Sequence, residues 1–169
     1  WSNESYNNKY YSWVVLKGHS KNKSGYVRIR SNDFRDTPEI HFKAFGDGRD
    51  LYGEDMSAML AGIQMARGVN SHISKDLQPH EVLPGPAFQS VAKLRSYVNE
   101  ESWGHHASCT SPMGALGDPR AVVDSKFRVQ KTKGLRIVDA SVFPEIPGLF
   151  IMVPILTISE KAAQMLIEQ

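Results

Sequence analysis

The chain has 169 residues, 41% of them hydrophobic and 22% charged, with 20 Lys and Arg against 18 Asp and Glu for a net charge of +2. That is enough apolar material for one packed domain, while small, interspersed charge excludes the electrostatic footprint of a nucleic-acid or membrane-surface binder. A lone cysteine, Cys109, excludes an internal disulfide, and no run approaches the ~20 apolar residues of a membrane-spanning helix.

The first residues, 1–9, are polar and do not read as a signal peptide. The chain opens on Trp1 rather than Met, so a processed product or a piece of something longer is expected. Next comes Tyr10-Tyr11-Ser12-Trp13-Val14-Val15-Leu16, aromatic and β-branched, stopped by Gly18 and polar residues 20–24; it reads as a strand. Gly25-Tyr26-Val27-Arg28-Ile29-Arg30-Ser31 alternates apolar and basic positions, as a strand with one buried and one wet face does. These two strands together predict a hairpin. After a turn-rich stretch at 33–38, Pro38-Glu39-Ile40-His41-Phe42 returns to alternation, and Gly46-Asp47-Gly48 breaks the chain.

From Asp55 the period changes. Met56, Met59 or Leu60, Ile63 and Ala66 fall three or four residues apart and line one face of a helix, with the methionines as core filler. Pro84-Gly85-Pro86 marks a rigid connection. Val91, Leu94 and Val98 form the apolar stripe of a second helix that ends at Asn99-Glu100-Glu101. Further on, Ala121-Val122-Val123, Phe127-Arg128-Val129 and Leu135-Arg136-Ile137-Val138 read as short strands, and Ile155, Ile158, Ala162 and Leu166 recur at the spacing of a closing amphipathic helix that covers the sheet. Strands cluster without strict βαβ alternation, which predicts a single α+β domain over residues 1–169, an antiparallel or mixed sheet flanked by helices.

Chemistry concentrates in Trp103-Gly104-His105-His106-Ala107-Ser108-Cys109-Thr110. Histidines titrate near neutrality and serve as acid, base or metal ligand. Against a metal site at His105, His106 and Cys109 stand two facts: neighbouring residues of extended backbone face opposite ways, and no fourth ligand lies at diagnostic spacing. Gly46-Asp47-Gly48 is no dinucleotide fingerprint, because Leu51 stands where the third glycine belongs. Neither a Walker loop nor a Gly-x-Ser-x-Gly elbow is present. Spacing alone leaves open two structural histidines, an acid–base enzyme, a binding or assembly module without chemistry, and a His/Cys metal enzyme.

The segment His105-His106-Ala107-Ser108-Cys109-Thr110 continues through Met113-Gly114, Asp118-Pro119-Arg120-Ala121-Val122-Val123-Asp124, Phe127-Arg128-Val129, Gly134-Leu135-Arg136-Ile137-Val138-Asp139-Ala140-Ser141, Pro144 and Ser159-Glu160-Lys161-Ala162-Ala163. In order and spacing it resembles the C-terminal part of the glucose-methanol-choline (GMC) oxidoreductases. Gly25 to Ser31, with Asp36-Thr37-Pro38 and Ile40, is similar to the start of that family's substrate-side domain. The resemblance implies an antiparallel sheet flanked by helices, docked on an N-terminal FAD-binding domain that this chain lacks, and hence a fragment or excised domain. Such a domain contributes to the oxidation of a small alcohol, a histidine taking the proton and the flavin the hydride, without holding FAD by itself.

The same resemblance assigns residues. The family's catalytic histidine opens a His-x-x-Gly-Thr-like pattern; an ungapped reading puts His105 there as the expected base, with Ser108 and Cys109 at the Gly and Thr positions, and a shift of one residue would put His106 there instead. The usual partner of that base is a second histidine or an asparagine shortly before the last helix, where this chain has Phe150. Asp139 and Ala140 match the family's flavin-contacting turn, and Pro154 and Ile155 match the backbone that approaches the flavin at the start of the last helix. A helix N-terminus there stabilises negative charge on a reduced flavin. No metal is implied.

Overall fold

In the computed structural model, which describes residues 10–22, 24–45, 53–77 and 79–168, two short strands precede three α-helices: β1 (Tyr26–Arg28), β2 (Glu39–His41), α1 (Glu54–Asn70), α2 (Val91–Glu101) and α3 (Met152–Ile167). A small antiparallel sheet beside three helices makes the chain α+β. The Gly46-Asp47-Gly48 break and residues 1–9 lie outside the described residues.

The hairpin forms between different partners from those the sequence suggests. β1 pairs antiparallel with β2, Tyr26 opposite His41 and Arg28 opposite Glu39. The Tyr26 and His41 rings stack at 4.8 Å, and the Tyr26 hydroxyl donates to Glu39 Oε1 at 3.1 Å. Residues 10–16 form no strand. They are extended, as their composition demands, but their polar ends find partners on a helix: Tyr11 Oη–H and Trp13 Nε1–H both donate to Asn70 Oδ1 at 2.9 Å. Val15 seats so close to Gly62 that a Cβ there would meet it at 2.3 Å. The segment is thus a strap across α1, and Gly62 is what lets it approach.

The end of the strap is clamped by Asp55, which is 3% exposed at the start of α1. Its carboxylate accepts from Ser20 Oγ–H at 2.8 Å, from Lys21 N–H at 2.9 Å and from Asn22 N–H at 3.0 Å, and the Lys17 ammonium stands 3.4 Å away. Behind it, Met56 and Leu60 of α1 close a first core with Leu94 and Val98 of α2, flanked by Met59, Ile63 and Phe88. The methionines at 56 and 59 fill core as their spacing predicts. The connection at 79–90 is pinned by Arg67, whose guanidinium donates to the Glu81 carboxylate at 2.6 Å and to Phe88 O at 3.0 Å. Ser90 caps α2, its hydroxyl accepting from Lys93 N–H at 3.3 Å.

A second core gathers Val123, Phe127 and Val142 under Ala162 of α3, with Met113, Ile137, Ile158 and Met165 around them. The strands expected over 121–123, 127–129 and 135–138 shrink to single bridges: Val123 to Val129, Arg128 to Arg136, and Met113 to Val123. Two things interrupt them. Phe127 and Lys131 both sit at φ 61°, in the left-handed region that bends a strand out of register. The Asp124 carboxylate also draws in Lys126 N–H and Arg128 N–H, at 2.8 and 3.0 Å, closing a tight turn. On α3 the packed stripe includes Ile158, Ala162 and Met165, whereas Leu166, one turn beyond Ala162 at the end of the helix, is 52% exposed. The expected closing helix is present and packs on this second core, with Leu166 outside its packed residues.

Candidate active site

Asp139 begins the site. Its carboxylate accepts from Ser141 N–H at 2.7 Å and folds Ala140–Val142 into a single 3-10 turn, anchored in the second core by Val142. The stretch after the histidines then runs beside that turn. Cys109 N–H donates to Ala140 O at 3.2 Å, Ser111 N–H to Ser141 O at 2.9 Å, and Met113 N–H to Val142 O at 2.8 Å. At its other end, the His106 imidazole meets the Phe150 ring edge to face, centroids 5.8 Å apart. The backbone ladder brings the segment after the histidines to the Asp139-Ala140 turn, and the ring contact brings His106 to Phe150, two residues ahead of α3.

The two histidines have different surroundings. His105 is exposed and lies against the Trp103 ring at 4.3 Å, while His106 is half-buried against Phe150. Among the described residues neither imidazole has a hydrogen-bond or ionic partner, so the ring nitrogens are available to a ligand. Cys109, whose thiol donates to Ser108 Oγ at 3.2 Å, holds φ 69°, a left-handed conformation that glycine adopts most readily. Thr110 follows it directly.

The N-terminus of α3 carries no side-chain cap. Its first internal bond runs from Ile155 N–H to Ile151 O at 3.0 Å, which leaves the N–H groups of Met152 and Val153 without partners inside the helix; Pro154 has none to offer. The surface around these donors is apolar and open, with Phe150 74% and Met152 67% exposed. Backbone donors at the positive end of a helix dipole favour an electron-rich group placed against them. The sequence singles out the helix start at Pro154 and Ile155; the free N–H groups there belong to Met152 and Val153, at the end of the apolar run Leu149-Phe150-Ile151-Met152-Val153 with no capping residue ahead of Pro154. Among the described residues no group of three His, Cys, Asp or Glu side chains is disposed to hold a metal ion. A pocket of about 160 Å³ lined by Lys17, Ser20, Ala44, Phe45 and Asp55 lies at the strap, among residues whose polar groups serve the clamp, and not at the histidines.

Comparison with known proteins follows the same residues. The family model described as GMC oxidoreductase matches residues 21–159. The oxygen-dependent choline dehydrogenase of Stenotrophomonas maltophilia (strain R551-3) is 32% identical over 163 residues, which cover 94% of this chain and 28% of that protein. The choline oxidase of Arthrobacter globiformis is 33% identical over 144 residues, covering 84% of this chain and 26% of that protein. Among solved structures, pyridoxine 4-oxidase from Mesorbium loti superposes with a TM-score of 0.67 at 27% identity, covering 90% of this chain and 28% of its own. The chain therefore spans little more than a quarter of the length of these relatives. With its model matched over most of the sequence, the chain belongs to the GMC oxidoreductase family.

Proposed function

We propose that this chain is the substrate-side domain of an FAD-dependent oxidoreductase that oxidises the CH–OH group of an alcohol, with His106 as general base. Residues 1–169 form one domain of a longer polypeptide whose N-terminal part binds the dinucleotide. Family membership, the oxidase and dehydrogenase names of the relatives, and the small share of their length that the chain covers all support this reading. The observation that carries it is the corner where the segment after His106 runs beside Ala140 and the His106 ring meets Phe150, ahead of the uncapped start of α3.

When bound, FAD supplies the acceptor for the hydrogen and electron pair that leave the carbinol carbon. This chain's residues do the rest. His106 takes the hydroxyl proton on an imidazole nitrogen, which requires that oxygen to come within about 2.6–3.2 Å. The donors of Met152 and Val153, at the positive end of α3, favour negative charge on the ring edge that abuts them, and Ala140 allows that edge to come close. The cofactor's phosphates find no glycine-rich cradle in this sequence, so the rest of the polypeptide holds them. Phe150 neither donates nor accepts a proton, so His106 works without a side-chain partner at that position. β1 and β2 belong to a wider antiparallel or mixed sheet flanked by helices in the whole protein. A two-stranded ribbon is marginal alone, and nearby Ile29 and Phe42 are 84% and 76% exposed.

Two features favour His106 over His105 as the base. In the His-x-x-Gly-Thr pattern the glycine position matches Cys109, at φ 69° and followed by Thr110, and three residues back from Cys109 stands His106. His106 also faces Phe150 at the partner position, whereas His105 packs on Trp103. Anaerobic bleaching of the flavin in the full-length protein tests this: His106→Ala slows it about 10²–10⁴-fold, and His105→Ala far less. The opposite ranking would return the base to His105, and mild defects in both variants would reject a histidine base here.

A further inference from the structure

We infer that Gly18 and His19, at the end of the strap, are positioning residues for the His106 corner: they hold the turn at Gly148 and Leu149 out of which Phe150 and α3 emerge. The inference rests on His106 as the base and concerns what keeps that base in place. Gly148 is buried at φ 94°, and Leu149 follows it at φ 45°. Two left-handed residues in succession turn the chain sharply, but that region is natural to glycine and rare for a side chain as bulky as leucine. A residue persists there when its surroundings over-determine it.

The strap supplies those surroundings. The His19 imidazole lies so close over Gly148 that a Cβ there would meet Nε2 at 2.5 Å and Cε1 at 2.6 Å. Beside it, a Cβ on Gly18 would stand 3.3 Å from the Leu149 backbone nitrogen and 3.3 Å from Leu149 Cδ2. The residues that follow, Ser20, Lys21 and Asn22, are fastened to the buried Asp55 at the start of α1. One short segment thus joins the clamp to the turn, and among the described residues the two cores on either side of it share no side chain. Phe150 comes directly after Leu149 and meets the His106 ring at 5.8 Å, so a shift of the turn moves the wall against which the imidazole rests. All these contacts lie within this chain, whatever the longer polypeptide lays over Phe150.

The test uses the flavin-loaded full-length protein and two readouts. One is the rate at which diethyl pyrocarbonate modifies His106, mapped by mass spectrometry with His105 as internal reference; the other is the limiting rate of anaerobic flavin reduction by choline. Gly148→Ala drives a Cβ into the His19 ring at 2.5 Å, about 1 Å short of an ordinary contact. Gly117→Ala is its control: Gly117 has φ 96°, and among the described residues nothing stands within 4 Å of a Cβ there, so it carries the backbone penalty alone. Gly18→Val, at a residue outside the left-handed region, presses on the Leu149 backbone, which cannot swing aside as a ring can. Gly148→Ala and Gly18→Val are expected to speed modification of His106, to leave His105 unchanged and to slow flavin reduction about 10²-fold, the cost of a misplacement of about 1 Å. His19→Ala speeds modification by itself, and on that background Gly148→Ala adds no more than Gly117→Ala does, because the collision is gone. His106 modification that Gly18→Val leaves unchanged, or that Gly148→Ala alters no more than Gly117→Ala, overturns the inference. So does equal acceleration in Leu94→Ala, which loosens only the first core. Faster modification without slower flavin reduction keeps the positioning role and takes the base away from His106. Failure of choline to reduce the wild-type flavin bears on the substrate alone, and the modification rates then decide the inference.

Discussion

Replacing Asp55 by alanine removes the acceptor that fastens the N-terminal strap to α1. Four groups lose it at once: Ser20 Oγ–H, Lys21 N–H, Asn22 N–H and the Lys17 ammonium. Hydrogen bonds to a charged acceptor contribute about 1.5–3 kcal/mol each, but these share one carboxylate and do not add. Ser20 and Lys21 are exposed enough for water to replace part of the loss. The expected cost is therefore about 2–4 kcal/mol, and about 1–2 kcal/mol for Asp55→Asn, which keeps one acceptor oxygen. Urea unfolding followed by far-UV circular dichroism measures both. The pH dependence follows from the same contacts. Burial opposes ionisation of Asp55, but the Lys21 N–H, the Ser20 hydroxyl, the Asn22 N–H and the Lys17 ammonium outweigh it and hold the carboxyl below the usual carboxylate range. A carboxyl depressed on folding contributes stability that is present above its unfolded pKa of about 3.9 and lost as pH falls through its lower folded value. Wild type should thus lose stability on acidification below about pH 5 more steeply than Asp55→Asn does. A cost under about 0.5 kcal/mol for Asp55→Ala, or parallel acid limbs, would refute the clamp.

In the first core, Leu94 is 1% exposed, so Leu94→Ala is expected to cost about 2–5 kcal/mol. Leu166→Ala, at a 52% exposed position, should cost about 0.5 kcal/mol or less; a reversal of that order in urea unfolding would mean that α3 is rotated on the second core. The 169-residue chain on its own should purify colourless and take up FAD weakly, as judged by absorbance near the flavin band after dialysis with excess cofactor. Stoichiometric yellow cofactor on this chain would overturn its proposed place as one domain of a flavoprotein.

The periodic helices were legible in the sequence because their apolar residues repeat at the helix's own period. Met56, Leu60, Leu94 and Val98 needed no partner in view to be assigned to core faces, and all four are buried. The stretch proposed to carry the chemistry also stands out by residue type and order: paired histidines, a lone cysteine and the Asp139-Ala140 turn. Pairing was not. Residues 10–16 have strand composition, but composition specifies only an extended preference, and whether a strand or a helix lies alongside depends on contacts made 47 to 59 residues away, at Gly62 and Asn70. Short β runs at 121–138 likewise dissolved into bridges, because the left-handed φ at Phe127 and Lys131 is imposed by the turns around them. The contrast between the two histidines belongs to the same class. Adjacent in sequence, they share every local property, and only folding placed one ring on Trp103 and the other on Phe150, because the ladder from Cys109 to Ala140 and the position of α3 decide which imidazole faces the corner.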